Sequence, residues 1–162
     1  MPAASPDSTR LLAVGVSHHH APLEVRERLY LVDGQAAELA SELGEAVVLS
    51  TCNRTEVYLA GGDPERVREE LERRSGLDLG SLLARWDESE VVAHLFRVAA
   101  GLDSLVPGES QILGQVREAY EAARTRGATG ALLNRLFEDA LRAGKRVRTE
   151  ANTLFPYSSS DL

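Results

Sequence analysis

Apolar and polar positions fall into blocks along this chain, and the period changes from block to block. Leu11-Leu12-Ala13-Val14-Gly15-Val16 is a wholly apolar run of strand length. Pro22 stops the extension, and Leu23 to Leu31 then reads as a helix. A second helix is predicted after Asp33, a favourable N-cap, and closes at Gly44, a residue type favoured just past a helix end. Ala46-Val47-Val48-Leu49 is again a buried type of strand. Thr55 to Ala60 is a third, with Val57 and Leu59 on one face. The tight stretch Ser50 to Arg54 lies between these two strands, and Gly61-Gly62 ends the hairpin. Asp63-Pro64 then gives an N-cap followed by proline at the first helical position. The helix behind it runs to Gly76 with few apolar residues besides Val67 and Leu71, so most of it should face water. Leu82 to Trp86 reads as a fourth strand. The order β-α-β-β-α-β predicts an α+β fold, a ferredoxin-like βαββαβ sandwich.

The remainder of the chain is helical, so the sandwich is followed by a helical segment and a long C-terminal helix. Glu90 to Gly101 carries Val91, Leu95, Val98 and Leu102 at helical spacing. A loop from Asp103 to Glu109 holds Pro107-Gly108, and Ile112, Val116, Ala119 and Ala123 mark the next helix. In the last helix, Leu132, Leu133, Leu136, Phe137, Ala140, Leu141, Gly144 and Val147 form a stripe at near-heptad spacing. Such a stripe needs a partner surface, either the domain itself or a second chain. Pro156 and Ser158 to Ser160 end it. The predicted organisation is a disordered tail over 1–9, a domain over 10–130, a long linking helix over 131–155 and a tail over 156–162.

Bulk properties narrow the function classes. A length of 162 residues suits one domain, or one domain with a helical extension. Apolar residues make up 43% but aromatics only 5%, so the core must be mostly Leu, Val and Ala. A net charge of -7 argues against a general nucleic-acid binder, yet leaves a local basic face open. A single cysteine, Cys52, allows no internal disulfide and no cysteine-rich zinc site, and fits a reducing cytosol. Met1 to Arg10 has no apolar signal region, and no run approaches the ~18 apolar residues of a membrane span. A cytoplasmic protein without membrane contact is expected.

Cys52 sits in Ser50-Thr51-Cys52-Asn53-Arg54-Thr55, just past a buried strand, where a side chain can emerge at the rim of a sheet. Thr51 and Asn53 offer hydrogen bonds and Arg54 a charge. A thiolate is a strong nucleophile, and a neighbouring cation or histidine favours it. Judged by composition alone, a lone cysteine is more often a small inert core residue. His94 lies on the apolar face of its helix between Val91 and Val98. It reads as a core histidine or as a base beside a thiol or ester. Ser104, Glu109, Gln111 and Gln115 gather hydrogen-bonding groups into one loop and the helix start after it, with Gln111 and Gln115 on one helix face. The plainer reading is a capping loop, with Glu109 favoured by the helix dipole. His18-His19-His20 lacks the carboxylate or cysteine partners and the shared direction that a metal site needs, so no metal is expected. The glycines form neither Gly-x-Gly-x-x-Gly nor a Walker loop, so no cofactor-binding residues are expected in this chain.

Three blocks nevertheless resemble the glutamyl-tRNA reductase family, in family order. They are Gly-Val-Ser-His-His-His-Ala-Pro-Leu-Glu-Val-Arg-Glu-Arg-Leu from Gly15, Leu-Ser-Thr-Cys-Asn-Arg-Thr-Glu-Val-Tyr from Leu49, and the segment from His94 to Val116. A weaker fourth match is Lys-Arg-Val-Arg-Thr-Glu from Lys145. The resemblance implies that residues 10–130 are a catalytic domain. It implies that Cys52 attacks the ester joining glutamate to the 3′ end of tRNA. The thioester would then be reduced by NADPH to glutamate-1-semialdehyde, toward tetrapyrroles and haem. It places Thr51, Arg54, His94, Ser104, Glu109, Gln111 and Gln115 around the substrate glutamate, with Arg54 suited to a carboxylate and His94 catalytic. It also implies an NADPH-binding domain or chain beyond the long helix, and a homodimer in the full-length form. Pro107 and Ser110 depart from the family pattern, as does the ending from Ala151 to Leu162. Two alternatives stay open: a stand-alone cysteine-dependent acyl-transfer or esterase domain acting on glutamyl-tRNA, and a non-enzymatic tRNA- or partner-binding module. Arg142, Lys145, Arg146 and Arg148 are the candidate basic face for tRNA.

Overall fold

The structure, a computed structural model, describes residues 10–32, 34–104 and 111–154, with side chains up to Glu150. The sequence expectations for Asp33, for Leu105 to Ser110 (Pro107, Gly108 and Glu109 among them) and for both chain ends lie outside the described residues.

Four strands form one antiparallel sheet in the order β2-β3-β1-β4. They are β1 (Leu11–Ser17), β2 (Ala46–Ser50), β3 (Arg54–Ala60) and β4 (Ala84–Asp87). Helices α1 (Leu23–Leu29) and α2 (Gln35–Leu43) lie between β1 and β2, and α3 (Pro64–Ser75) lies between β3 and β4. Then follow α4 (Ser89–Ala99), α5 (Ile112–Thr125) and α6 (Ala131–Leu154). The fold is therefore mixed α and β, as the patterning predicts.

Both central strands are covered on both faces. Every residue of β1 is buried, and β3 is buried from Arg54 to Leu59. Thr55 on one face of β3 reaches the Leu29 carbonyl at the end of α1. On the other face Glu56 meets His94 of α4, and Tyr58 meets Phe137 of α6 edge-on with ring centroids 5.4 Å apart. This double coverage explains the unbroken apolar run of β1, which a half-exposed antiparallel strand would not show.

Most predicted ends hold, with local corrections. The Asp63 carboxylate accepts from the Glu65 N–H at 2.9 Å and caps α3, which closes at Gly76 with φ 74°. The first helix stops at Leu29 rather than Leu31. The Leu31 N–H turns to the Ser50 hydroxyl at 3.0 Å, and that of Val32 to the Gln35 side chain at 3.1 Å, so tertiary and local acceptors outcompete the next helical turn. The fourth strand begins at Ala84, because Gly80–Leu82 is taken by a 3-10 turn.

The long helix is two things in one. Leu133, Leu136, Phe137 and Ala140 are buried against the domain, and Gly144 passes so close that a Cβ there would meet the Ala99 carbonyl oxygen at 2.8 Å. Leu132 and Val147 are exposed at 36% and 40%, so they do not belong to the buried stripe. The buried set follows the 3.6-residue period of a helix on a globular surface, not a full heptad seam. Phe137 stacks on Tyr120 of α5 with centroids 5.5 Å apart, tying α5, α6 and β3 together.

Candidate active site

Cys52 stands at the tip of the β2–β3 hairpin. Ser50 pairs with Thr55, and the Thr51 N–H donates to the Arg54 carbonyl at 2.8 Å, which leaves Cys52 and Asn53 as the turn itself. The Thr51 hydroxyl is buried and accepts from the Asn53 N–H at 3.1 Å. The Asn53 carbonyl accepts from the His18 N–H at 3.0 Å, so the turn following β1 is stitched to the hairpin tip. The thiol is exposed. A cysteine that folding has not buried is available for chemistry, which removes the inert-core reading of Cys52.

Beneath that tip lies a buried charge cluster. Arg54 and Glu56 are 1% and 0% exposed. One Glu56 oxygen accepts from His94 Nε2 at 2.8 Å and lies 3.3 Å from Arg54 Nη1, while the other accepts from the Tyr58 hydroxyl at 2.7 Å. Arg54 also donates from Nη1 to the Asp103 carboxylate at 2.9 Å, and from Nη2 to the Asp103 carbonyl. His19 Nε2 lies within hydrogen-bonding distance of the Asp103 carboxylate, at 3.3 Å. The His94 ring stacks on Trp86 of β4, with centroids 3.9 Å apart and planes 14° apart. Two buried polar atoms in this region, His18 Nδ1 and Arg54 Nε, have no hydrogen-bond partner among the described residues. Native interiors rarely leave such atoms unpaired.

The electrostatics follow from these contacts. Burial alone would push Glu56 upward, but the His94 hydrogen bond and charge, Arg54 and the Tyr58 hydroxyl outweigh it and hold the carboxyl below the usual range. Asp103 is also held low: its burial is outweighed by the hydrogen bond and charge of Arg54. Burial opposes the Arg54 charge, yet Glu56 and Asp103 raise its pKa. Burial and Glu56 push Tyr58 well up. His18 is lowered, first by burial and then by His19 and Arg54. Because Glu56 is an acceptor, His94 Nε2 carries the hydrogen of their bond, which fixes the ring's tautomer when it is neutral.

Of the residues singled out in the sequence, Thr51, Cys52, Arg54 and His94 come together on or under one hairpin. Ser104 is half-buried and follows Asp103 directly. Gln111 is exposed at the start of α5 and Gln115 is half-buried one turn later. No hydrogen bond joins either amide to the hairpin among the described residues. Glu56 and Asp103 were not singled out. The signal for Glu56 was a carboxylate leading directly into the strand run Val57-Tyr58-Leu59-Ala60, on the face opposite Val57 and Leu59. Asp103 carried no such signal. No group of three or more potential metal ligands gathers among the described residues. No helix is long and apolar enough to cross a membrane among those residues. A cavity of about 310 Å³ lined by Arg142, Lys145, Arg146, Thr149 and Glu150 lies on the far half of α6 and shares no residue with the hairpin cluster.

Comparison with known proteins points to one family. Residues 14–151 match the model of the glutamyl-tRNA(Glu) reductase N-terminal domain. The chain is 54% identical over 141 residues to a glutamyl-tRNA reductase of Thermus thermophilus, covering 86% of this chain and 35% of that protein. It is 46% identical over 151 residues to the enzyme of Marinobacter nauticus, again covering 86% of this chain and 35% of the relative. Among solved structures it superposes on glutamyl-tRNA reductase from Methanopyrus kandleri with a TM-score of 0.71 at 35% identity, over 86% of this chain and 34% of that one. The chain thus spans about a third of the length of the curated relatives it matches.

Proposed function

The chain belongs to the glutamyl-tRNA reductase family as its N-terminal domain, and on that premise we propose that it carries out the thiol step of the reaction with Cys52 as the nucleophile. The observation that carries this reading is the exposed Cys52 at the tip of a hairpin whose base holds Arg54, Glu56 and His94.

The Cys52 sulfur attacks the carbonyl carbon of the ester between glutamate and the terminal ribose of tRNA. A C–S bond forms, the ester C–O bond breaks, and the ribose oxygen leaves with a proton. The product is a glutamyl thioester on Cys52. His94 is the catalytic partner, polarising the thiol or ester from a ring pinned by Glu56 and Trp86. Arg54 meets the substrate carboxylate, a role supported by the unpartnered Nε of an otherwise engaged guanidinium. Thr51, whose hydroxyl also shapes the turn, contacts the glutamyl group. Ser104, Glu109, Gln111 and Gln115 supply amide, hydroxyl and carboxylate contacts to the glutamyl group.

NADPH does not fit the residues present. The sequence has no Gly-x-Gly-x-x-Gly loop, and an antiparallel sheet lacks the strand-to-helix turn at which a dinucleotide phosphate sits. No step above runs through it. Reduction to glutamate-1-semialdehyde, for tetrapyrrole synthesis in the cytoplasm, belongs to the whole protein, with NADPH on a separate domain or chain and a homodimeric assembly. The domain reading is a catalytic unit over 10–130 and a linking helix over 131–155. The ferredoxin-like reading of the sheet is supported by its order β2-β3-β1-β4 and its two helical crossovers. Arg142 and Arg146, 68% and 77% exposed on α6, with Lys145 and Arg148, form the tRNA-facing basic surface.

The test is intact mass after incubation with glutamyl-tRNA without NADPH, with tRNA deacylation followed in parallel and Cys52→Ser as control. A glutamyl adduct that needs Cys52 supports the thiol step. Deacylation that needs Cys52 without an accumulating adduct favours the esterase reading. Neither, with tRNA still bound, favours a binding module.

A further inference from the structure

We infer that Arg26 is a positioning residue for the thiol step, clipping the hairpin tip so that Cys52 keeps its direction of attack. The inference rests on Cys52 being the nucleophile. Arg26 sits half-buried on α1, the helix that begins directly after the triple-histidine turn. Its Nε donates to the Ala21 carbonyl at 3.1 Å, and its Nη1 to the Cys52 carbonyl at 3.2 Å and the Asn53 side-chain oxygen at 3.5 Å. One planar group therefore joins the turn after β1, helix α1 and both residues of the hairpin tip.

The tip needs such a tie. Among the described residues its other hydrogen bonds are the Thr51–Arg54 closure, the Asn53 N–H to the Thr51 hydroxyl, and the His18 N–H to the Asn53 carbonyl. None of these reaches the Cys52 carbonyl, which Arg26 alone holds among the described residues. An exposed turn held only at its edges lets a nucleophile wander, and a displacement of ~1 Å can cost about 100-fold in rate. The three acceptors are all uncharged oxygens, and among the described residues Arg26 joins no carboxylate ion pair. Its guanidinium thus meets the hairpin tip at the Cys52 carbonyl and the Asn53 side chain through neutral acceptors. A lysine could not hold three acceptors in a fixed fork from one point charge.

The experiment compares wild type, Arg26→Lys and Arg26→Ala for the rate of Cys52 glutamylation over a range of glutamyl-tRNA concentrations, read by intact mass. The Ala variant is expected to lose about ten-fold or more in the saturating rate while its half-saturating concentration stays within about two-fold. The Lys variant should fall clearly below wild type. Added guanidinium ion at millimolar concentration should restore part of the rate of the Ala variant, which a purely structural defect would not allow. Hydrogen exchange should quicken at residues 51–53 and stay unchanged in β1 and β3. A wild-type saturating rate in Arg26→Ala overturns the inference. So does a loss confined to half-saturation, or full activity in Arg26→Lys should the Ala variant not fold. If wild type forms no adduct, the reading of Cys52 fails and this inference with it. A wild-type adduct with an unaffected Ala variant removes only Arg26.

Discussion

Glu56 holds His94 at 2.8 Å and lies 3.3 Å from Arg54 through the same carboxylate oxygen. The group proposed to meet the substrate carboxylate and the one proposed to act on the thiol or ester thus share a single buried anion. Replacing Glu56 by Gln leaves the Arg54 charge short of one partner in the interior. A loss of about 3 kcal/mol is expected, since removing one member of a buried pair strands the other. Urea unfolding of both proteins measures it, and a change below about 1 kcal/mol would mean that Asp103 alone suffices for Arg54.

The same cluster sets an acid limit. Glu56 and Asp103 have native pKa values held below their ordinary 4.5 and 3.8. Their contribution to stability is complete above those values and is lost as pH falls through the lowered native ones. His18 is held below its ordinary 6.5, so the unfolded chain takes up its proton first and stability declines as pH drops beneath that value. Melting temperatures should therefore slope gently downward below pH 6.5 and steeply in the carboxylate range. Glu56→Gln should flatten only the steep part. Melting curves at half-unit pH steps decide this.

The two halves of α6 should respond differently to truncation. Phe137 is fully buried between Tyr58 and Tyr120, so Phe137→Ala is expected to cost about 3–5 kcal/mol. Val147 is 40% exposed beyond the close approach at Gly144, and Val147→Ala should stay within about 0.5 kcal/mol. Equal losses at the two positions, measured by urea unfolding, would contradict the docking of only the first half.

Gly15 on β1 leaves no room for a side chain against β3. A Cβ there would stand 2.3 Å from the Thr55 carbonyl oxygen and 2.7 Å from the Glu56 Cα, both backbone atoms. Gly15→Ala must therefore move β1 or β3 and displace Glu56 with it. A loss of about 1–3 kcal/mol or more and a slower glutamylation of Cys52 are expected together. A stable Gly15→Ala protein with wild-type glutamylation would show that the strands separate without consequence for the cluster.

Local signals were enough for the elements themselves. The apolar runs of β1 and β2, the Asp63-Pro64 start of α3 and the glycines at 44 and 76 act over a few residues, so the sequence alone located those elements and their ends. The Ser-Thr-Cys-Asn-Arg-Thr-Glu string also marked the hairpin that bears Cys52. What only the tertiary structure decided are relations between distant segments. His94 and Glu56 are 38 residues apart, and Arg54 and Asp103 are 49 apart. Neither pairing leaves a periodic trace, because each depends on how α4 and the residues after it fold back over the sheet. The end of α1 at Leu29 and the exposure of Val147 belong to the same class. In both, the deciding partner, Ser50 in one case and the edge of the docked surface in the other, lies outside the element whose pattern was read. Helix and strand come from spacing along the chain, whereas a buried carboxylate acquires its partners only when the layers close.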